Sequence, residues 1–396
     1  MRAEARHVAA TLAFGAAIAS VAYGAFTLTR LAAFERRVRR RGPANGHPHV
    51  TVLKPLHGDE PGLAENLRSF CAQNYPSYDV IFSVRDAHDA ALAIARAVAA
   101  EFPDRTQVVV GSDAPDAAEP QRNAGFTNPK IANLRPAFAR ARGEILAISD
   151  SDMRVDAGWL DAVAAAFDDE DVGAATCVYA GEPATASLAD ALGAMWITEQ
   201  FAPSALTATA LEPLRYCFGA TMAVRRDVFE AVGGARALAQ HVADDHLLGR
   251  LVAERGMRVA LVPYVVTNVV HERNVRALVL HELRWARTIR SVRPASYAGI
   301  ALTYPLPLAA VAWALARDKR AGAMLLAAAA AVRFALHSRA RRALSTGAGG
   351  SPWLVPLRDV LGFAVWFAGC RGGAVRWRGA RLRLDRGGTL ETEQRV

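Results

Sequence analysis

Three short stretches carry side chains whose types and spacing suit chemistry. In "EILAISDSDMRVDAGWL" (Glu144–Leu160) an apolar run ends on Asp150, Asp152 and Asp156. Carboxylates two apart at a strand end can bind a hard divalent cation, and a diphosphate needs such a cation to neutralise its charge. In "VADDHLLGRLVAERG" the pair Asp244 and Asp245 stands just before a helical apolar run of Leu247, Leu248, Leu251 and Val252. A carboxylate there, pointing into a cleft and apart from the metal, can serve as a general base toward a hydroxyl. In "HELRWARTIR" His281, Arg284, Trp285 and Thr288 fall at i, i+3, i+4 and i+7, so they share one helical face. An indole beside a guanidinium suits a sugar or nucleotide diphosphate: the ring packs and the cation holds phosphate.

Each stretch also has a plainer reading. Asp152 or Asp156 can cap the helix expected at Ala157–Phe167, which is the stronger reading for Asp156, and Asp244 or Asp245 can cap the helix that follows them. Arg284, Arg287, Arg290 and Arg293 recur every third residue, as on a basic helix lying against anionic lipid.

The elements around these residues decide between the readings. After a Pro/Gly linker (Arg41–His49), β-rich runs alternate with helical ones. Val50–Leu53, Val80–Val84, Val108–Val110 and Glu144–Ser149 read as strands. Leu63, Leu67, Phe70 and Cys71 form a helical apolar face, and helices are expected at Ala90–Ala100 and around Ile131–Ala141. Such alternation predicts an α/β fold: a mostly parallel sheet covered on both faces, with ligands beyond the carboxyl ends of its strands. Asp150 ends one strand at that rim. The strand of "IFSVRDAHD" ends in Arg85, Asp86, His88 and Asp89, so two strands deliver carboxylates to one rim.

Composition sets the surroundings. The 396 residues suffice for one large domain with appendages. Four dispersed cysteines (Cys71, Cys177, Cys217, Cys370) match no disulfide framework or zinc spacing and read as free, mostly buried thiols. The net charge of +9 could suggest nucleic acid, but 52% apolar residues and a mean hydropathy of +0.11 point to a membrane instead. Val8–Thr29 is free of charge and close to the ~20 residues that span a bilayer. Its downstream flank, "RLAAFERRVRRRG", is the more basic, which predicts an uncleaved anchor with the following chain in the cytoplasm. Ser296–Ala316 and Ala321–Leu336 are further candidate spans, the second if Arg333 snorkels or faces protein. Trp353–Cys370, carrying Arg358 and Asp359, is expected at the interface, before a basic, strand-like tail ("VRWRGARLRL"). The organisation expected is an anchor over 1–40, a catalytic domain over 50–294, a membrane region over 295–371 and a cytoplasmic tail over 372–396.

With these residues assembled, the chain resembles the inverting glycosyltransferases of the GT-A fold, in particular the ceramide glucosyltransferase group. The motifs, in order, are "LKPLHGDEPGLAENLRSF", "VRDAHD", "NPKIANL", "SDSD", "FGATMAVRRDVFEAVGG", "ADDHLLG" and "HELRW". "FGATMAVRR", "VADDHLLGRLV", "VVHE" and "HELRWARTIRSVRP" look most like the bacterial hopanoid-modifying branch, which transfers N-acetylglucosamine from UDP to bacteriohopanetetrol. The resemblance implies that Asp86 helps seat the uridine, that Asp150 serves the nucleotide and Asp152 a divalent metal (Mg or Mn), and that Asp245 is the base. It also places Lys130, His281, Arg284 and Trp285 at the substrate. Position 281 departs from the pattern, being His where the group has Gln or Arg. The implied partners are a UDP-sugar, a hopanoid or other lipid acceptor and membrane lipid, without nucleic acid, at a bacterial inner membrane. Ceramide or another lipid with UDP-glucose is the alternative. A phosphatase with an aspartyl nucleophile leaves the H-x-x-R-W helix unexplained, and a non-enzymatic lipid-binding protein has no use for the rim carboxylates. The segment Ser112–Thr127 looks like an insertion and has no assigned role.

Overall fold

The computed structural model describes residues 2–113, 126–344 and 351–371, together with strands at 374–377, 380–384 and 390–392. Most of the insertion, residues 114–125, lies outside the described residues.

A helix, α1 (Arg2–Arg39), leads into an eight-stranded sheet. Its strands are β1 (Val50–Leu56), β2 (Tyr78–Val84), β3 (Thr106–Val110), β4 (Ile145–Ile148), β5 (Met153–Arg154), β6 (Val172–Pro183), β7 (Met222–Arg225) and β8 (Arg258–Val270). The spatial order is β3-β2-β1-β4-β7-β6-β8-β5. β1 through β4 pair in parallel, as do β6 and β8, but β7 runs antiparallel to both β4 and β6, and β5 antiparallel to β8. The sheet is therefore mixed with a parallel majority, as expected for the α/β fold, and β7 and β5 are its reversed strands. β7 is a four-residue strand at the joint, and a short buried apolar strand reads the same in either direction.

Every residue of β1 and β4 is buried, as expected for central strands covered on both faces. One layer packs α2 (Leu63–Cys71) and α3 (Ala91–Glu101) on the sheet, with Leu67 and Phe70 wholly buried. The opposite layer contains α4 (Pro129–Arg140), whose Ile131 and Leu134 pack on Leu53, Ile148 and Met222. After β4, a turn at Ser151–Asp152 and the short β5 lead to α5 (Trp159–Ala165), and Asp156 accepts from Gly158 N at 2.8 Å, tying the segment into that helix.

β6 is followed by α6 (Leu188–Trp196), a π-helical turn at Ile197–Phe201 and α7 (Ala202–Leu211). Pro203, in the first turn of α7, has no N–H for the preceding turn, so the ladder widens there. Beyond β7 come α8 (Arg226–Ala231), α9 (Gly234–Leu238), α10 (Asp244–Glu254), then β8 and α11 (Val275–Val292).

The remaining helices are α12 (Pro294–Gly299), α13 (Pro305–Leu315), α14 (Lys319–Ala343) and α15 (Val355–Gly369). Two helices are long and apolar enough to cross a membrane, Glu4–Arg39 and Lys319–Ala343. Ser296–Ala316, expected as one span, is a pair of helices bent by 72° at Tyr304. The 36 residues of Glu4–Arg39 extend about 54 Å at 1.5 Å per residue, well beyond a ~30 Å hydrocarbon layer. The surplus docks on the sheet domain: Leu31 and Phe34 are buried with Leu206 and Phe218, and Arg37 donates to Leu261 O at 3.1 Å.

Arg333 on α14 faces protein, not lipid. It donates to Asp359 at 2.6 Å and to Glu199 at 2.9 Å, and Glu199 also meets His337 at 2.7 Å. Arg358 is paired with Glu282 of α11 through two bonds of 2.7 Å. α15 thus fastens α14 to the helix of the "HELRW" motif. All four cysteines are free, Cys71, Cys177 and Cys217 buried and Cys370 exposed. The described parts of the tail form a three-stranded antiparallel sheet.

Candidate active site

The rim forms where β1, β2 and β4 end together. Since the three strands are parallel neighbours with β1 in the middle, Asp86 after β2 and Asp150 after β4 emerge at one sheet edge. Asp86 is exposed and accepts from its neighbour His88 N at 2.9 Å. Bonds from the His88 backbone and ring hold its carboxyl below the usual carboxylate range.

Lys130 links the rim's two acidic stretches. Asn128 caps α4, accepting from Lys130 N at 2.8 Å and Ile131 N at 3.2 Å, and Pro129 fixes the first helical φ. This start directs Lys130 Nζ to Asp150 Oδ1 at 2.7 Å and Asp244 Oδ2 at 3.5 Å. Burial opposes the Lys130 charge, but Asp150 and Asp244 outweigh it and raise its pKa. Asn128 also donates to Asp244 Oδ1 at 3.2 Å. Neither Asp244 nor Asp245 makes a side-chain cap: α10 begins at Asp244 itself, with Ala243 at the capping position.

Asp245 lies beside Asp244, and His246 N donates to its Oδ1 at 2.7 Å. Burial, then the charge of Asp244, raises its pKa to about 7, against the pull of Lys130. Gly219 of "FGATM" sits between the carboxylates, since a Cβ there would lie 3.3 Å from Asp150 Oδ2 and 3.6 Å from Asp245 Oδ2. A bare backbone at this position keeps space open between the two acids.

Asp152 points deeper, with Oδ2 accepting from Asn268 Nδ2 of β8 at 2.7 Å. Burial, followed by Glu60 and Asp150, raises it to about 7 as well. Beneath the rim, the wholly buried Lys54 of β1 donates to Asp150 O and lies 3.7 Å from the centre of the Phe70 ring. Burial lowers its pKa to about 7, with Asp150 and Asp152 resisting.

The chemistry of this donor set suits a hard cation. Glu60, Asp150, Asp152, Asp244 and Asp245 gather near Lys54 and Lys130, and Asp152 is held toward its neutral form by burial and then by its negative neighbours Glu60 and Asp150, a condition that a divalent ion relieves. Among the described residues no three acidic, histidine or cysteine side chains form a ready-made cage, so protein ligation would centre on Asp152.

The third stretch reaches the site through rings. His281 Nδ1 meets Glu272 Oε1 at 2.6 Å, and the His281 ring packs on Trp285 with centroids 4.2 Å apart. Trp285 stacks on Trp196 (5.0 Å), which stacks on Phe201 (6.1 Å), which packs on Tyr179 (4.4 Å). Burial, then the charges of Asp245, Asp152 and Asp150, holds the Tyr179 phenol neutral well above its usual range. Phe201 also meets Phe218, then Tyr216 and His246, the residue after Asp245. An aromatic wall therefore runs from the H-x-x-R-W helix to the rim acids, with Arg284 on that helix. Sequence reasoning missed Lys54, Glu60, Asn268 and the wall residues Tyr179, Trp196 and Phe201. A signal existed for Lys54, the one charge in the buried run "VTVLKPL"; the wall residues come from distant segments and offered none.

A mixed sheet of this order with acids at its rim defines a GT-A-type transferase fold. The chain is similar to a mannosyltransferase from Pyrobaculum calidifontis solved in complex with GDP-Man and Mn2+, with a TM-score of 0.50 and 20% identity, covering 90% of this chain and 97% of that one. The model of glycosyl transferase family 21 matches residues 12–390, and the chain belongs to that family. Among curated relatives, ceramide glucosyltransferase 1 of Caenorhabditis elegans is 31% identical over 104 residues, 26% of this chain and 20% of the relative. Ceramide glucosyltransferase 3 of the same organism is 24% identical over 218 residues, 54% and 44% of the two chains. The matches thus span less than half the length of these relatives.

Proposed function

We propose that the protein is a membrane-bound inverting glycosyltransferase that moves N-acetylglucosamine from UDP-GlcNAc to the hydroxylated side chain of a hopanoid lipid, bacteriohopanetetrol. The observation that carries the transferase reading is the meeting of Asp150 and Asp245 at Gly219, with Lys130 bridging Asp150 to Asp244, in a family 21 chain. The donor and acceptor rest on the likeness of "HELRWARTIRSVRP" and its companion motifs to the hopanoid branch. The reading places the enzyme at a bacterial inner membrane with its sheet domain in the cytoplasm, supported by the basic flank of α1 and the two helices able to cross a bilayer.

The residues divide the work of one displacement. Asp245, with a pKa of about 7, is poised to take the proton of the acceptor hydroxyl as that oxygen attacks the anomeric carbon from the face opposite the leaving UDP. Asp86 seats the uridine at the β2 end of the rim, and Asp150 orients the nucleotide. Lys130 and Arg284 supply positive charge toward the diphosphate, and His281 and Trp285 pack against the donor. Mg or Mn held by Asp152 would supply the neutralisation that lets UDP depart. The aromatic wall excludes water from the space beside Asp245, favouring a lipid alcohol over hydrolysis.

A second reading, glucosyl transfer from UDP-glucose to ceramide, is favoured by the similarity to ceramide glucosyltransferases. Purified protein offered each UDP-sugar with each lipid, with products read by mass spectrometry, separates the two. An N-acetylhexosamine adduct on the hopanoid alone supports the first; a hexose on ceramide replaces it with the second.

A further inference from the structure

The π-helical turn that carries Phe201 into the aromatic wall sends its preceding residues the other way, toward the membrane-side helices. Glu199 is consumed by Arg333 and His337. Gln200 is only 5% exposed, yet neither its Nε2 nor its Oε1 has a hydrogen-bond partner. A buried carboxamide with nothing to bond is destabilising, so such a group marks a missing partner.

Gln200 lines a small groove with Ser20, Tyr23 and Thr27 of α1, Ser204 of α7 and Leu302 before the α13 bend. Two of the polar groups around it are already used: Ser20 Oγ donates to Leu302 O at 2.7 Å, and Thr27 pairs with Thr207 at 3.0 Å. Gln200 is buried and offers an unused donor and an unused acceptor together. Ser20–Thr27 is the downstream end of the uncharged run Val8–Thr29, adjoining the basic flank. From Thr27 to Ser20 the helix rises about 10 Å, so with Val8–Thr29 spanning a bilayer the groove would run from the surface into the acyl region of one leaflet. Gly24, at the same level, lets α14 approach closely, for a Cβ there would collide with Val332.

We propose that this groove binds the acceptor lipid at the junction of its polar and apolar parts, with Gln200 pairing to a lipid group that both donates and accepts, an amide or a hydroxyl. The proposal rests on the reading that the acceptor is a membrane lipid. Gln200 is next in sequence to Phe201, so a lipid group held here lies beside the wall that leads to Asp245. Two variants, Gln200→Leu and Gln200→Met, remove the carboxamide while keeping its bulk, and neither leaves an unsatisfied group behind.

The test is native mass spectrometry of the full chain in detergent with bacteriohopanetetrol, ceramide or phosphatidylcholine added, alongside acceptor KM. Wild type is expected to retain bacteriohopanetetrol or ceramide at least tenfold better than either variant, with phosphatidylcholine, which has no hydroxyl or amide, retained equally by all three proteins. Acceptor KM should rise by a similar factor in both variants. Equal retention of the hydroxyl- and amide-bearing lipids by wild type and variants overturns the proposal. Selective retention by wild type without any UDP-sugar-dependent product upholds the lipid site and overturns the glycosyltransferase reading instead.

Discussion

The ion pair between Glu282 and Arg358 offers a sharp test of how the motif helix is held. Arg358 has no exposed surface, Glu282 only 2%, and two bonds of 2.7 Å join them; among the described residues the other acceptor of the guanidinium is Leu192 O at 3.3 Å. Glu282→Leu therefore leaves a buried guanidinium with one weak acceptor, a loss of about 3–5 kcal/mol. Arg358→Met strands the carboxylate at a similar cost. The double variant removes both charges together and is expected to lie within about 1 kcal/mol of wild type, or above it. Thermal unfolding in one detergent at one scan rate, followed by tryptophan fluorescence, should show both single variants falling and the double variant recovering. Turnover should follow the same order, because Glu282 sits between His281 and Arg284 on α11. Additive losses in the double variant, or single variants as stable as wild type, would refute the reasoning.

Three further outcomes follow from the rim. Lys130→Met leaves Asp150 and Asp244 without their shared cation, so unfolding temperature should fall, and donor KM should rise by about tenfold or more. Activity should climb with pH through about 7, as Asp245 ionises; conversely, between about 4 and 7 the folded protein holds protons on Asp152 and Asp245 that the unfolded chain releases, so these groups favour the fold less as pH rises across that window. A pH titration of initial rate and of unfolding temperature checks both. Chelation of divalent ions should abolish turnover, with recovery on adding Mg or Mn, and Asp152→Asn should lose that recovery.

How much of this could be read from the sequence depends on distance along the chain. "EILAIS" and "IFSV" are short apolar runs ending in acids, and parallel pairing through β1 puts both ends at one rim, so Asp86, Asp150 and Asp152 were placed by local pattern and one topological rule. Lys130 was found only through the resemblance of "NPKIANL", because its bridging of Asp150 and Asp244 depends on a helix docking across the sheet. The direction of β7 was hidden because its three buried apolar residues, Met222, Ala223 and Val224, read the same either way. Arg358 and Asp359 read as marks of an interfacial helix, whereas their burial depends on Glu282 and Arg333, 76 and 26 residues away. The π-turn at Ile197–Phe201 had no sequence signature beyond Pro203, and with it the aromatic wall stayed out of sight.

The central claim, that the cleft is a transfer site with Asp245 as its base, is tested most directly by Asp245→Asn at saturating donor and acceptor, with UDP affinity measured on the same protein. The account expects turnover to fall by about 10²–10⁴ while UDP binding is kept. Near-wild-type turnover in a variant that still binds UDP would contradict it.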